Sequence, residues 1–494
     1  MTLQTIRDYC DHHAKAIPEK IFLLYGGDRY SRSEAQAYIR GISRIIAKHG
    51  IAPKETVAFA LNNSPEAALC VLGIMSGGYV ATAVNRIAGD TTIRYVLDHS
   101  ETRLVFVDAG SEAQIRPLVS DKVTLVRLDQ CDLDKATDTT AYIPKSNDHA
   151  LLMYTSGTTG RPKGVLHSHK SILAGGKNVV IGHELSAKDR ALCTLPLYHI
   201  NGLCVTLIAP LISGGSVVLP EKFSTSKFWP DIRRHECSWF SVVPTQISYL
   251  LHQETPFNKA EYPRLRFGRS ASAPLSPDVH AAFEQRFEIP IIETMGLTET
   301  AAQILSNPLP PKARKIGSPG LAVGNEVTIA DLQQNPVAEN TEGEVLVRGD
   351  NVMQGYLKNP TATAEAMTPQ GWLRTGDLGR MDADGYVFIT GRIKELIIKG
   401  GENIAPREID EALYSHPDVI EAAAFSCPCK DYGERIEAAV ALSVGTKATA
   451  ETLRFLCQEK LGKFKTPERI HVMTELPKGP SGKIQRRILS ETFS

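Results

Sequence analysis

The sequence has little that would commit it to a membrane, a nucleic acid or an oxidising compartment. No stretch of its 494 residues approaches the roughly 18 consecutive apolar positions that span a bilayer. The opening MTLQTIRDYCDHHAKAIPEK mixes charge with short apolar pieces and lacks the apolar core of a secretory signal. Neither sign of charge is in excess. The 55 basic and 55 acidic side chains leave a formal charge of zero, which excludes the basic footprint of a nucleic-acid binder or polybasic membrane anchor. The nine cysteines are odd in number and scattered, and Cys427-Pro-Cys429 does not have the spacing of a zinc knuckle or thioredoxin motif. Two half-buried residues near a strand end are expected there, and reduced thiols in a cytoplasmic protein overall. The chain carries no internal repeat and no low-complexity tract.

What is present is an ordinary soluble composition, 42% apolar and 22% charged, on a chain too long for one core. TVAFALN (56–62) predicts a strand, and SPEAALCVLGIMSGG (64–78) a helix that starts at Ser-Pro and stops at paired glycines. RLVFVDA (103–109) opens another unit. The rhythm returns as LCTLPL, GLCVTLIAPLISGG, SVVLP and SWFSVVP between 190 and 250. Strands alternating with helices predict layered α/β subdomains with largely parallel sheets. Beyond about residue 320 the texture changes. EVTIAD, GEVLVRG, GWLRTGDLG and GYVFITGR predict an antiparallel sheet or small barrel-like β region. From GRIKELIIKGGENI onward strands and helices alternate again. The expected organisation is a large N-terminal α/β domain over 1–391 and a small, mobile α+β lid over 392–494.

The strongest local signal is YTSGTTGRPKGV, Tyr154 to Val165. Thr155, Ser156, Thr158 and Thr159 supply hydroxyls. Gly157, Gly160 and Gly164 keep the loop bare, so its N–H groups approach phosphate oxygens closely, and Lys163 adds charge. HALLM before it predicts the strand that presents the loop, with a helix expected beyond. A Walker A reading fails, because Pro162 stands where its second glycine belongs and Gly164 follows Lys163.

This loop resembles the phosphate-binding signature of the adenylate-forming superfamily, which comprises acyl- and aryl-CoA synthetases, peptide-synthetase adenylation domains and firefly luciferase. LPLYHINGL (195–203), ETMGLTET (293–300), RTGDLG (374–379), GRIKELIIKGGENI (391–404) and PSGKIQRR (480–487) follow in that family's order, so the resemblance covers nearly the whole chain. It implies a ligase that joins a carboxylic acid to ATP as acyl-adenylate and pyrophosphate, then passes the acyl group to CoA and releases AMP. ATP, Mg²⁺ and CoA are the implied small molecules. By the same resemblance Thr298 touches phosphate and Glu299 holds Mg²⁺, for which one carboxylate suffices because the ion keeps several waters. Asp377 accepts both ribose hydroxyls and Arg392 contacts ribose or phosphate. Met295, where an aromatic is usual, packs its thioether on adenine beside Gly296. Lys483 bridges the attacking carboxylate and the α-phosphate; a compact point charge on a flexible stem suits two anions that are not coplanar. His199 stands at the acid pocket. Lys394 is the lid's hinge, and Gly400 and Gly401 face the adenylate and line the thiol tunnel after rotation.

KFWPDIRRHECSWFSVVPT, RLRFGRSASAPLSP and SGKIQRRILSETF look most like the branch of oxalate-CoA ligases, close to coumarate-type enzymes. That implies a short or small polar acid. Two departures point away from oxalate itself: Asn201 and Ala302 stand where those enzymes carry histidines. Malonate, sulfoacetate and other short acids stay open. So do a free-standing ligase that loads a carrier protein and, in another class, a non-catalytic nucleotide-binding regulator. An attached carrier domain is not expected, since the sequence ends at Ser494, soon after Lys483. A monomer or homodimer acting on a small molecule completes the expectation, with no nucleic-acid or membrane partner.

If Lys394 is the hinge, Lys394→Pro slows thioester formation more than adenylation. Separate single-turnover assays of the two half-reactions measure this; equal losses would refute the hinge.

Overall fold

The chain was analysed as a computed structural model that describes residues 3–131, 133, 142–155, 161–254, 256–479 and 482–494. Two large sheets dominate the first three hundred residues. One has seven strands, with Thr56–Ala60, Val80–Ala83, Leu104–Val107, Thr124–Arg127 and His149–Thr155 running parallel. The other has nine, with a parallel centre that includes Arg190–Cys193, Trp239–Val242, Phe267–Ser270 and Ile291–Leu297. One apolar core joins Phe59, Phe106 and Leu151 of the first sheet to Leu23, Trp239 and Phe267 of the second, through the helices between them. Helix Pro65–Ser76 shows what that middle layer demands. Ser64 accepts the Ala67 N–H as its cap, and every residue of the helix except Glu66 is buried. A helix apolar on all sides belongs between two sheets.

The sequence expectations meet this architecture closely, with one instructive difference. The glycine-rich signature is not followed directly by a helix. Lys163–Ser168 first forms a strand antiparallel to His149–Thr155, with Val165 and His167 buried, and the helix starts at His169, capped by Ser168. LCTLPLYHINGL leads into a π-helical turn, Asn201–Ile208, continuous with the α-helix Ala209–Ser213. The later β region is a four-stranded antiparallel sheet in the order Glu326–Ala330, Gly343–Arg348, Leu373–Met381, Val387–Arg392. The last sheet places Gly433–Leu442 against Val419–Cys429 and the parallel strand Arg469–Met473, with Ile397–Lys399 and Glu402–Ile404 outside. Cys427 is buried and Cys429 half-buried at the end of one of these strands, and none of the cysteines forms a disulfide. Among the described residues no helix is long and apolar enough to cross a membrane.

The last sheet docks on helix Pro244–Leu251. Ser248 Oγ donates to the Ile420 carbonyl at 2.7 Å, the Tyr249 hydroxyl donates to Glu421, and Lys478 pairs with Glu421 at 2.7 Å. His252 Nε2 meets the Pro417 carbonyl at 3.1 Å. These bonds set the height at which the C-terminal residues reach the rest of the molecule.

Strands Ile291–Leu297 and Ala302–Ser306 come so close at Gly296 that a Cβ there would lie 1.7 Å from the Ala302 carbonyl oxygen. Gly296→Ala therefore lowers the unfolding free energy by about 1–3 kcal/mol, the usual cost of overpacking. Gly27→Ala, which meets nothing within 4 Å, shifts it by no more than about 0.5 kcal/mol. Urea midpoints of the two variants test the contrast; equal shifts would contradict the close approach.

Candidate active site

A cavity of about 250 Å³ lies between the large sheets and the C-terminal sheet. Each wall is delivered by a different element. Asp377, on Leu373–Met381, is the cross-strand partner of Arg392, the last residue of Val387–Arg392, and Arg392 Nε donates to Asp377 Oδ1 at 2.6 Å. Met295 and Gly296 come from the edge of the nine-stranded sheet, and Ser272 and Ala273 from the loop after Phe267–Ser270. Lys483 closes the cavity from the C-terminal side. A turn in which Gly479 N–H donates to the Lys483 carbonyl at 2.8 Å, with Gly482 at positive φ, carries that lysine. Thr245 Oγ1 donates to the Gly482 carbonyl at 3.2 Å and ties the turn to the docking helix.

The charges in this cleft are arranged around Lys483. It lines the cavity and keeps an exposed surface. The surrounding protein pushes its pKa below the ordinary lysine value, Arg392 adds to that push, and Asp377, Glu395 and Glu299 oppose it. Burial pushes the Asp377 carboxyl up against the pull of Arg392 and Lys483. Burial also disfavours the Arg392 charge, but Asp377 outweighs it and holds the guanidinium above its usual value. Glu395 pairs with Arg486 at 3.4 Å, and Arg486 in turn binds Asp410, so one salt-bridge chain spans the C-terminal wall.

Thr298 and Glu299 form a single turn, Thr298–Thr300, after Ile291–Leu297. His167 fixes it. Its Nε2–H donates to the Thr298 carbonyl at 2.6 Å, and burial lowers its pKa to about 4, so the ring is neutral and Nδ1 accepts from Ser171. Glu299 Oε1 accepts the Tyr356 hydroxyl at 2.9 Å, and Lys163 Nζ stands 4.7 Å over the Tyr356 ring. Tyr356 thus links the phosphate-loop lysine to the acidic turn. Among the described residues Glu299 Oε2 has no partner, so the carboxylate fits a hard cation that brings its own waters.

The sequence-derived candidates fall into three groups. Lys483, Asp377, Arg392, Met295 and Gly296 line the cavity, and Glu299 acts on it electrostatically. Thr155 pairs with Lys163 at the mouth of the phosphate loop, while Ser156, Gly157, Thr158 and Thr159 lie outside the described residues. Lys394 is exposed in the turn Ile393–Glu395, and Gly400 and Gly401 occupy the turn between the outer strands, away from the cavity lining. Ala302 is buried in the strand that crowds Gly296. His199 packs on Tyr198, with ring centroids 4.8 Å apart, and its buried Nε2 has no partner among the described residues. Sequence reasoning missed His167, Tyr356 and Glu395. Glu395 sits one residue beyond Lys394 in GRIKELI and could have been read there; His167 and Tyr356 acquire meaning only through long-range contacts.

An AMP-binding enzyme model matches residues 10–357, and an AMP-binding enzyme C-terminal domain model matches 408–483. The chain belongs to the AMP-binding enzyme family. The enzyme is 48% identical over 458 residues to the sulfoacetate-CoA ligase of Cupriavidus necator, covering 90% of its own length and 89% of the relative. It is 35% identical over 512 residues to the oxalate-CoA ligase of Arabidopsis thaliana, covering 100% and 99%. It superimposes on o-succinylbenzoate coenzyme A synthetase of Bacillus subtilis, solved with ATP and magnesium ion, with TM-score 0.86 and 29% identity over 97% and 98% of the two chains.

Burial, and then Lys483, lowers the His199 pKa to about 4, below the roughly 6.5 of an unfolded histidine. Between those values the unfolded chain binds the proton, so stability falls as pH drops from about 6.5 towards 4. Histidine ring resonances should show His199 neutral from pH 5.5 to 8. A midpoint near 6.5 would contradict its burial beside Lys483.

Proposed function

We propose that the enzyme activates a short carboxylic acid bearing a second anionic group, with sulfoacetate as the type substrate, in the cleft around Lys483. It is an AMP-forming acid–thiol ligase that forms an acyl-adenylate and pyrophosphate from ATP, then transfers the acyl group to CoA and releases AMP. The observation that carries the residue roles is the convergence of Lys483, Asp377 and Arg392 on one cavity beside Met295–Gly296 and the Thr298–Glu299 turn.

In-line attack by a carboxylate on the α-phosphorus brings two anions together, and negative charge moves onto the departing pyrophosphate. Lys483 meets the attacking carboxylate and α-phosphate, and its depressed pKa reflects an ammonium that gains partners only when those anions arrive. Asp377 accepts the ribose hydroxyls, oriented by Arg392. Met295 offers its thioether to adenine, and Lys163 with the Thr155–Thr159 loop receives the β- and γ-phosphates. Glu299, beside Thr298, would hold Mg²⁺, which supplies charge neutralisation to the phosphates. Neutral His199 presents an imidazole to the acid without adding a cation that would compete with Lys483. Transfer to the thiol then requires Lys483 to leave, with Lys394 as the hinge and Gly400–Gly401 entering its place. The substrate class rests on the sulfoacetate-CoA ligase relative and on Asn201 and Ala302, which depart from the oxalate pattern.

Lys483→Ala should raise the adenylation barrier by roughly 3–4 kcal/mol, a few hundredfold, as removal of a transition-state donor does. Thioester formation from supplied acyl-adenylate should persist. Pyrophosphate release and adenylate-dependent thioester formation, assayed separately with sulfoacetate and CoA, decide it; intact adenylation in the variant would overturn the role of Lys483.

A further inference from the structure

Behind the cavity wall lies a cation that no carboxylate among the described residues answers. Arg269, on strand Phe267–Ser270, is 1% exposed. Its Nη1 donates to Asn201 Oδ1 at 2.9 Å and to Ser241 Oγ at 3.1 Å, and its Nε is buried without a partner among the described residues. Arg392 and Arg486, which are only partly buried, have Asp377 and Asp410, and the fully buried Arg32 donates to the Pro210 and Gly215 carbonyls while its Nε and Nη1 have no partner among the described residues. A guanidinium held, among the described residues, by a neutral amide and a hydroxyl is an uncompensated buried charge, which proteins retain at a cost. Burial pushes its pKa down to about 9, which leaves it protonated at neutral pH.

The hydrogen bonds leading away from Arg269 all run one way. A guanidinium offers only donors, so the Asn201 amide must turn its oxygen towards Arg269 and Ser241 and its NH₂ away. That NH₂ donates to Ser272 Oγ at 3.2 Å. Ser272 lines the cavity and sits at φ 76, a strained conformation for a non-glycine residue and one that collects at functional sites. With its oxygen accepting from Asn201, the Ser272 hydroxyl is free to donate its proton into the cavity. Each bond in such a chain polarises the next, so the buried cation strengthens the final donor.

We infer that Arg269, acting through Asn201 and Ser272, receives the second anionic group of the acid and selects sulfonate- or carboxylate-bearing acids over neutral-tailed acids of the same size. Ser272 touches this group, whereas Asn201 and Arg269 are positioning residues and Arg269 is the source of charge. The inference rests on the proposed substrate class, and it explains how the pocket recognises an anion without the histidines of the oxalate branch.

The test compares kcat/KM for sulfoacetate and malonate with that for propionate and butyrate, by pyrophosphate release, in the wild type, Asn201→Asp and Arg269→Gln. A wild type without preference for the anionic acids sinks this inference and the substrate class together. With that preference in place, Asn201→Asp supplies Arg269 with an internal carboxylate. It should raise the thermal midpoint while cutting the anionic-to-neutral ratio by roughly a hundredfold, mainly through KM. Arg269→Gln should cut the ratio similarly. A preserved ratio in Asn201→Asp, or a lower thermal midpoint for it, overturns the inference even if Arg269→Gln fails to fold. Equal loss on anionic and neutral acids in Arg269→Gln reduces Arg269 to a packing role and overturns it as well. The two anionic acids separate sulfonate from carboxylate recognition.

Discussion

The ion pair between Asp377 and Arg392 is the constraint on which the rest of the site depends. It joins the middle of strand Leu373–Met381 to the end of its neighbour Val387–Arg392, so its geometry is set by strand register. It also stands immediately before the turn that leads into the C-terminal sheet. A carboxylate this buried stays ionised only with a cation beside it. Arg392 supplies that cation and faces the same cavity as Lys483. Moving either partner would alter the charge on this wall of the cavity and the repulsion that unsettles the lysine.

The remaining contacts make one pose of the C-terminal region compatible with that pair. Glu421 is almost fully buried and receives Tyr249 from one side and Lys478 from the other. Thr245 holds the carbonyl just before Lys483. These are polar, directional bonds, beside the packing of Tyr414 on the core that holds Ile247 and Leu250. The lid movement proposed above calls for docking of this sort, directional enough to place an amine and small enough to release it.

The layered α/β architecture was legible because its signals are local. Ser64-Pro65 opens a helix whose apolar residues run all round it, and strand patterns such as TVAFA recur with the expected spacing. The cavity-lining residues Lys483, Asp377 and Arg392 were legible because each sits in a short motif with its own turn. The strand Lys163–Ser168 was less so, because KGVLHS carries only a weak alternation and its identity comes from pairing with His149–Thr155. His167 and Tyr356 could not be found from sequence. One gains its role from a carbonyl 131 positions away, the other from a carboxylate 57 positions away. Arg269 was one of three arginines in RLRFGRS, and that it has no carboxylate partner among the described residues is a property of the packed core alone.

Arg269 and Lys483 follow the same physical logic from opposite sides of the cavity. Each is a cation whose charge the surrounding protein disfavours, and each stands near a position that an anion would fill. A protein folded around unanswered positive charge gives up some stability when empty and recovers it when its ligands bind, because any ligand that prefers the folded state shifts the folding equilibrium towards it. For a reaction between two anions this arrangement is economical. In the proposed roles, the cations that would stabilise the empty cleft if paired internally are left to the substrates, so the charges that weaken the free protein are those that would draw the carboxylate and the phosphate together.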